Sequence, residues 1–155
     1  MPPIRPKCFL VALIAGWVVA IFLPSAIIAA AGLSPLAAGR NLAAATIEVA
    51  DEVAPAAKIG FALLFALLLC ARRRWARLPA LPADILTGCA AMLAVLALLP
   101  LAWSRGIGIG LSGSRFDPAL LAIYLLGAAL AGLAFHLAED KCLRRDYPDD
   151  PSSSA

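Results

Sequence analysis

Four apolar stretches, residues 8–31, 55–71, 85–103 and 118–138, occupy more than half of this chain of 155 residues. A helix needs about 20 apolar residues to cross the ~30 Å hydrocarbon layer of a bilayer. Lipid offers no hydrogen-bond partner, and a helix satisfies its own backbone groups. The stretches therefore predict an all-α integral membrane protein with four transmembrane helices in an antiparallel bundle. Composition agrees. Hydrophobic residues make up 63% of the chain, against about 45–50% in an ordinary soluble domain. Spans of this length leave room for short connections and no soluble catalytic domain. Residues 1–147 are expected to form one membrane domain, and the Ser- and Pro-rich residues 148–155 a disordered cytoplasmic tail.

The second stretch is the shortest. Residues 59–71 alone would rise only about 20 Å at 1.5 Å per residue. Its helix must start near Pro55 and carry Lys58 below the membrane surface. Asp84 is expected to cap the third span, and Asp117-Pro118 to open the fourth.

The cations set an orientation. Nine of the thirteen Lys and Arg fall in three places: Arg5 and Lys7; Arg72, Arg73, Arg74 and Arg77; Lys141, Arg144 and Arg145. Arg40, Lys58, Arg105 and Arg115 flank the other side. By the positive-inside rule both termini and the middle turn are cytoplasmic. Arg outnumbers Lys ten to three, which with abundant Ala suggests a GC-rich bacterial genome and hence a bacterial inner membrane. The arginine run reads as a topology and headgroup signal, so no nucleic-acid partner is expected.

The first 32 residues could also be read as a secretory signal, with small residues at Ala29 and Ala31 to suit a peptidase. Its apolar run of 24 residues exceeds the roughly 7–15 of a signal core and favours a retained helix. Pro24 predicts a kink near the outer end.

Between the first two spans, Ser34-Pro35 predicts the start of an amphipathic helix over residues 36–53. Leu36, Leu42, Ala43, Ile47, Val49, Ala50 and Val53 share one broad side. Arg40, Asn41, Glu48, Asp51 and Glu52 share the other. Such a helix is expected to lie along the outer interface or over the bundle. The carboxylates Glu48, Asp51 and Glu52 could hold a divalent cation, but a solvated acidic face is the commoner arrangement.

Helices associate in lipid through small residues that let backbones approach. Ala12, Gly16 and Ala20 form such a stripe, as do Ala128 and Gly132, Gly127 and Ala131, and Ala62 and Ala66. These could pack the chain on itself, on a second copy, or on another membrane protein.

Candidates for chemistry are few. Cys8, Cys70, Cys89 and Cys142, one per helix, all fall toward the cytoplasmic side with His136 at a similar depth. Converging thiols could ligate zinc or an iron–sulfur cluster, or could simply be small apolar residues kept reduced. No CxxC pair exists, which speaks against a membrane thiol oxidoreductase. His136, the one histidine, is expected to pair with Glu139 or Asp140 a turn away. Lys58 is the intramembrane charge and the strongest single functional candidate, unless it snorkels to Asp51 or Glu52. Gly108, Gly110 and Gly113 match GxGxxG without the strand that a nucleotide loop requires.

No catalytic set, metalloprotease motif or phosphate loop is present. The expectation is a non-enzymatic accessory, structural or protein-interaction component of the membrane, without cofactor. The alternative is a small oligomeric transporter or channel that uses Lys58 and the acidic outer helix. A cytoplasmic-face cysteine metal or redox site is a third reading.

Overall fold

The computed structural model describes residues 5–34, 39–53, 55–74, 79–98 and 118–146. Among them are five α-helices and no strand: α1 (Pro6–Ala30), α2 (Leu42–Glu52), α3 (Pro55–Arg74), α4 (Ala80–Leu98) and α5 (Pro118–Asp146). The four others than α2 are long and apolar enough to cross a membrane.

Local chemistry sets the helix ends. Pro6 opens α1, a position where the missing N–H costs nothing. Gly32, at φ +63°, closes it. The Gly32 N–H donates to Ala29 O and the Leu33 N–H to Ile28 O, the paired bonds of a Schellman ending. Helix α1 runs unbroken through Pro24. The bond that proline cannot donate is lost from Ala20 O, while the Ser25 hydroxyl donates to Ile21 O at 2.8 Å.

Helix α2 starts later than expected, at Leu42 rather than residue 36. Asn41 caps it, its side-chain carbonyl accepting from the Ala44 N–H at 2.8 Å. Gly39 just before it has φ +75°, outside the helical region. Ser34 is therefore not its cap, and residues 35–38 lie outside those described. The inner face of α2 is also narrower than expected. Ala45, Val49 and Ala50 are buried, while Leu42 and Ile47 are exposed.

Helix α3 begins at Pro55 and includes Lys58, as its length required. Helix α4 begins at Ala80, five residues before the expected residue 85, and is described to Leu98. The expected end near Trp103 and the glycine-rich loop beyond it lie outside the described residues. So do Trp75, Arg77 and the tail from residue 147. Helix α5 continues past residue 138 to Asp146.

The neighbours run antiparallel. Along α1 and α5, Cys8 meets Cys142, Gly16 meets Ala131 and Pro24 meets Gly127. Along α4 and α5, Asp84 meets His136 and Gly88 meets Ala128. Helix α3 opposes α1: the Trp17 indole N–H donates to Lys58 O at 2.9 Å, and Phe65 lies against Gly16. It opposes α4 through Arg72 and Asp84. Helix α2 packs on α1.

Small residues make these approaches possible. A Cβ on Gly16 would come 2.9 Å from Ala131 O. One on Gly88 would overlap the Ala128 carbonyl, and one on Gly132 the Asp84 carbonyl. Ala12, Ala20 and Ala128 are buried. Both stripes considered for a second chain, Ala12–Gly16–Ala20 and Ala128–Gly132, are thus occupied within this one. Around them lie the large buried side chains Phe65, Phe135, Ile28, Leu69 and Leu96.

Candidate functional site: a buried Asp84 cluster shared by three helices

The apolar helices enclose one buried charged side chain among the described residues, Asp84, 1% exposed. The spacing of small residues puts it there. Asp84 and Gly88 are one turn apart on α4, as Gly132 and His136 are on α5, so each pair shares a helix face. Backbone contact at Gly88 and Gly132 draws the helices together, and Asp84 is brought against His136. One Asp84 carboxylate oxygen lies 2.6 Å from Arg72 Nη2 and the other 3.0 Å from His136 Nδ1. The carboxylate therefore joins α3, α4 and α5.

A second pair lies beside it. Arg73 Nη2 donates to both Glu139 carboxylate oxygens. The Arg73 guanidinium also lies 5.2 Å from the Phe9 ring centroid and 5.9 Å from that of Phe135. The two rings meet edge to face at 5.6 Å, and the half-buried cation rests against both. Isolated charges are costly in such surroundings, and pairing is what makes them tolerable.

A carboxylate on Nδ1 orders the imidazole by accepting its N–H, which leaves Nε2 with the lone pair in the neutral ring. That tautomer is assigned from the hydrogen bond. His136 is 29% exposed in its side chain, so the ring is reachable from outside the cluster. The arrangement can hold three helices in register.

Other expected residues fall elsewhere. His136 does not pair along its own helix: Glu139 goes to Arg73, and Asp140 binds Arg144 at 3.0 Å. The four cysteines do not form one site. Cys8 and Cys142 are joined as a disulfide, while Cys70 and Cys89 are free thiols. Cys89 Sγ lies 3.8 Å from Leu125 O, and Leu125 is about 25 Å along α5 from Cys142 at 1.5 Å per residue. The sulfurs of Cys8 and Cys142 and a carboxylate oxygen of Asp146 lie within 4.8 Å of one another. Both sulfurs are spent on their mutual bond, so neither is a thiolate ligand.

At the opposite end, Lys58 Nζ lies 3.8 Å from an Asp51 carboxylate oxygen, with its side chain 20% exposed. This is the interfacial pairing considered for it. Glu48 pairs with Arg40 instead, and burial raises the Glu52 carboxyl above the usual range. The three carboxylates of α2 thus do not converge. Lys58 borders a small cavity lined by Ser25, Val53, Phe61, Met92 and Tyr124.

Asp84 is the residue that sequence reasoning missed. With Pro79 and Pro82 before it, it resembled a cap at the end of a loop. Both prolines are accommodated where α4 starts, and the Ala83 N–H donates to Pro79 O at 3.2 Å. The signal was an acid one turn before Gly88 in a run extended to Ala80. No protein-family model matches the chain, and neither a curated protein nor a solved structure does.

Proposed function

We propose that the chain is a small polytopic protein of the bacterial inner membrane, and that it serves as a non-enzymatic accessory or structural component. Its four long helices are transmembrane and form an antiparallel bundle. The amphipathic α2 lies along the outer interface. The basic end, with both termini, faces the cytoplasm, where Arg5, Lys7, Arg72, Arg73, Lys141, Arg144 and Arg145 meet the positive-inside rule.

One observation carries this reading: the outside of the helices is more consistently apolar than the inside. Leu10, Ile14 and Val18 on α1, Ile59, Leu63 and Leu67 on α3, Leu86 and Leu93 on α4 and Leu126 on α5 are all exposed. Water-soluble proteins rarely expose apolar surface on this scale. Among the described residues, the interior holds few of the polar groups that would line a transport path. Buried Ser25 and Thr87 donate to Ile21 O and Ala83 O of their own helices. Asp84 is enclosed by Arg72 and His136.

Alkaline carbonate extraction and reporter fusions test the placement. The chain is expected to stay with the vesicles, with residues 72–77 on the inside. Light scattering in mild detergent tests the role. A complex heavier than the 16.0 kDa chain is expected, and a strictly monomeric, partnerless species overturns it. The cavity beside Lys58 favours one second reading, an oligomeric transporter or channel gated by Lys58 and α2. Ion flux in vesicles that is abolished by Lys58→Ala would select it.

A further inference from the structure

The disulfide between Cys8 and Cys142 spans 134 residues of sequence and ties the start of α1 to the last turns of α5. Its two sulfurs differ in access. Cys8 is fully buried, whereas Cys142 is partly exposed. Their surroundings are cationic. Arg5 and Lys7 flank Cys8, and Lys141, Arg144 and Arg145 flank Cys142. Against these five cations stand Asp140, bridged to Arg144, Asp146, bridged to Lys7, and Glu139, which is bridged to a sixth cation, Arg73. Across the two bonded helix ends cations thus outnumber anions, although the Asp146 carboxylate lies within 4.8 Å of both sulfurs, and a net positive field concentrates anions.

We propose that Cys8 and Cys142 form a dithiol–disulfide exchange site whose co-reactant is a small anionic disulfide. In the reduced protein, the Cys142 thiolate attacks one sulfur of that disulfide. A mixed disulfide forms on Cys142 and one small thiolate leaves. The Cys8 thiolate then attacks Cys142 Sγ, the bond between α1 and α5 forms, and the second small thiolate leaves. Two electrons pass from the cysteines to the small disulfide, and the two cysteine protons end on the two small thiols. Two equivalents of small thiol reverse the sequence. Burial assigns the roles: Cys142 is the point of entry and Cys8 the resolving thiol. Cys70 and Cys89 take no part, since neither is bonded and Cys89 lies far along the helix pair.

The test uses the full chain in mild detergent, equilibrated with oxidised and reduced glutathione, quenched in acid, alkylated with a maleimide and mapped by mass. The expected result is a ratio-dependent interconversion between a form alkylated at Cys70 and Cys89 alone and a form alkylated at all four cysteines. Cys8→Ser is expected to hold glutathione on Cys142, while Cys142→Ser leaves Cys8 unmodified. Arg144→Gln combined with Arg145→Gln is expected to slow closure by oxidised glutathione about threefold or more, and to leave closure by the neutral hydroxyethyl disulfide unchanged. If Cys8→Ser fails to fold, early time points on the unaltered chain give the same order, with the mixed disulfide on Cys142 preceding the internal bond. Alkylation of all four cysteines at every ratio overturns the proposal. So does a bond that reduced glutathione never opens, a link involving Cys70 or Cys89, or glutathione on Cys8 as readily as on Cys142. Equal slowing with both small disulfides overturns the anionic class.

Discussion

The two ends of the helix set carry charge in different ways. At one end Asp84 is enclosed, its two oxygens divided between Arg72 and His136 on other helices. A second, half-buried pair and a covalent bond lie toward the same end. At the other end, Lys58 and Asp51 stand 3.8 Å apart with the carboxylate 81% exposed, next to a small cavity. Both ends hold ion pairs, but the surroundings decide what each is worth. An exposed pair is screened and contributes roughly 0–1 kcal/mol, whereas breaking a buried one leaves an uncompensated charge at a cost of about 3–5 kcal/mol. The basic end is therefore the fastened end of the molecule and the α2 end the loose one.

The largest test is aimed at the fastened end. Asp84→Ala strands Arg72 among apolar helices and should destabilise the protein by about 3–5 kcal/mol, read as a lower midpoint of thermal or SDS-induced unfolding. Asp84→Leu combined with Arg72→Leu removes both charges and should recover most of that loss. If the single and double variants are equally unstable, the pair is not what fastens the end. The next effect should come from the backbone approach that supports the cluster. Gly132→Leu forces α4 and α5 apart at Asp84, and overpacking of this kind costs about 1–3 kcal/mol. An unchanged midpoint would mean that the contact between these helices is looser than described. At the loose end, Lys58→Ala should shift the midpoint by less than about 1 kcal/mol. A loss as large as that of Asp84→Ala would erase the contrast between the ends.

Much of the fold was legible because hydropathy and small-residue spacing are local signals. The four apolar runs are helices, although α4 begins five residues before and α5 ends eight residues after the expected bound, and Ala12, Gly16, Ala20, Ala128 and Gly132 are contact positions. Whether those contacts were within the chain or with another was not legible, since the spacing is the same in both cases. Polar pairing was the least readable. His136 has Glu139 close by in sequence, yet it turns to Asp84 on α4 while Glu139 turns to Arg73 on α3. Local spacing named the nearest acid, and packing chose a different one. The bond between Cys8 and Cys142 depends on two helix ends meeting across the whole fold, which no local pattern encodes.

The smallest expected effect lies at the loose end. Glu52, at the end of α2, has its carboxyl raised above the ordinary range by partial burial. Over the interval between its unfolded and folded values, the folded chain keeps a proton that the unfolded chain has released. Stability therefore falls as pH rises through that interval, and the associated gain is fully present only below the unfolded value. Glu52→Gln carries no titrating proton, so its unfolding midpoint should lose less between about pH 4 and pH 7 than that of the unaltered chain. The difference should be slight, because Glu52 is only partly buried and water screens much of the penalty. Parallel curves for the two proteins would mean that α2 lies away from the helices beneath it. A slope as steep as the loss from Asp84→Ala would mean that α2 is fastened as firmly as the basic end.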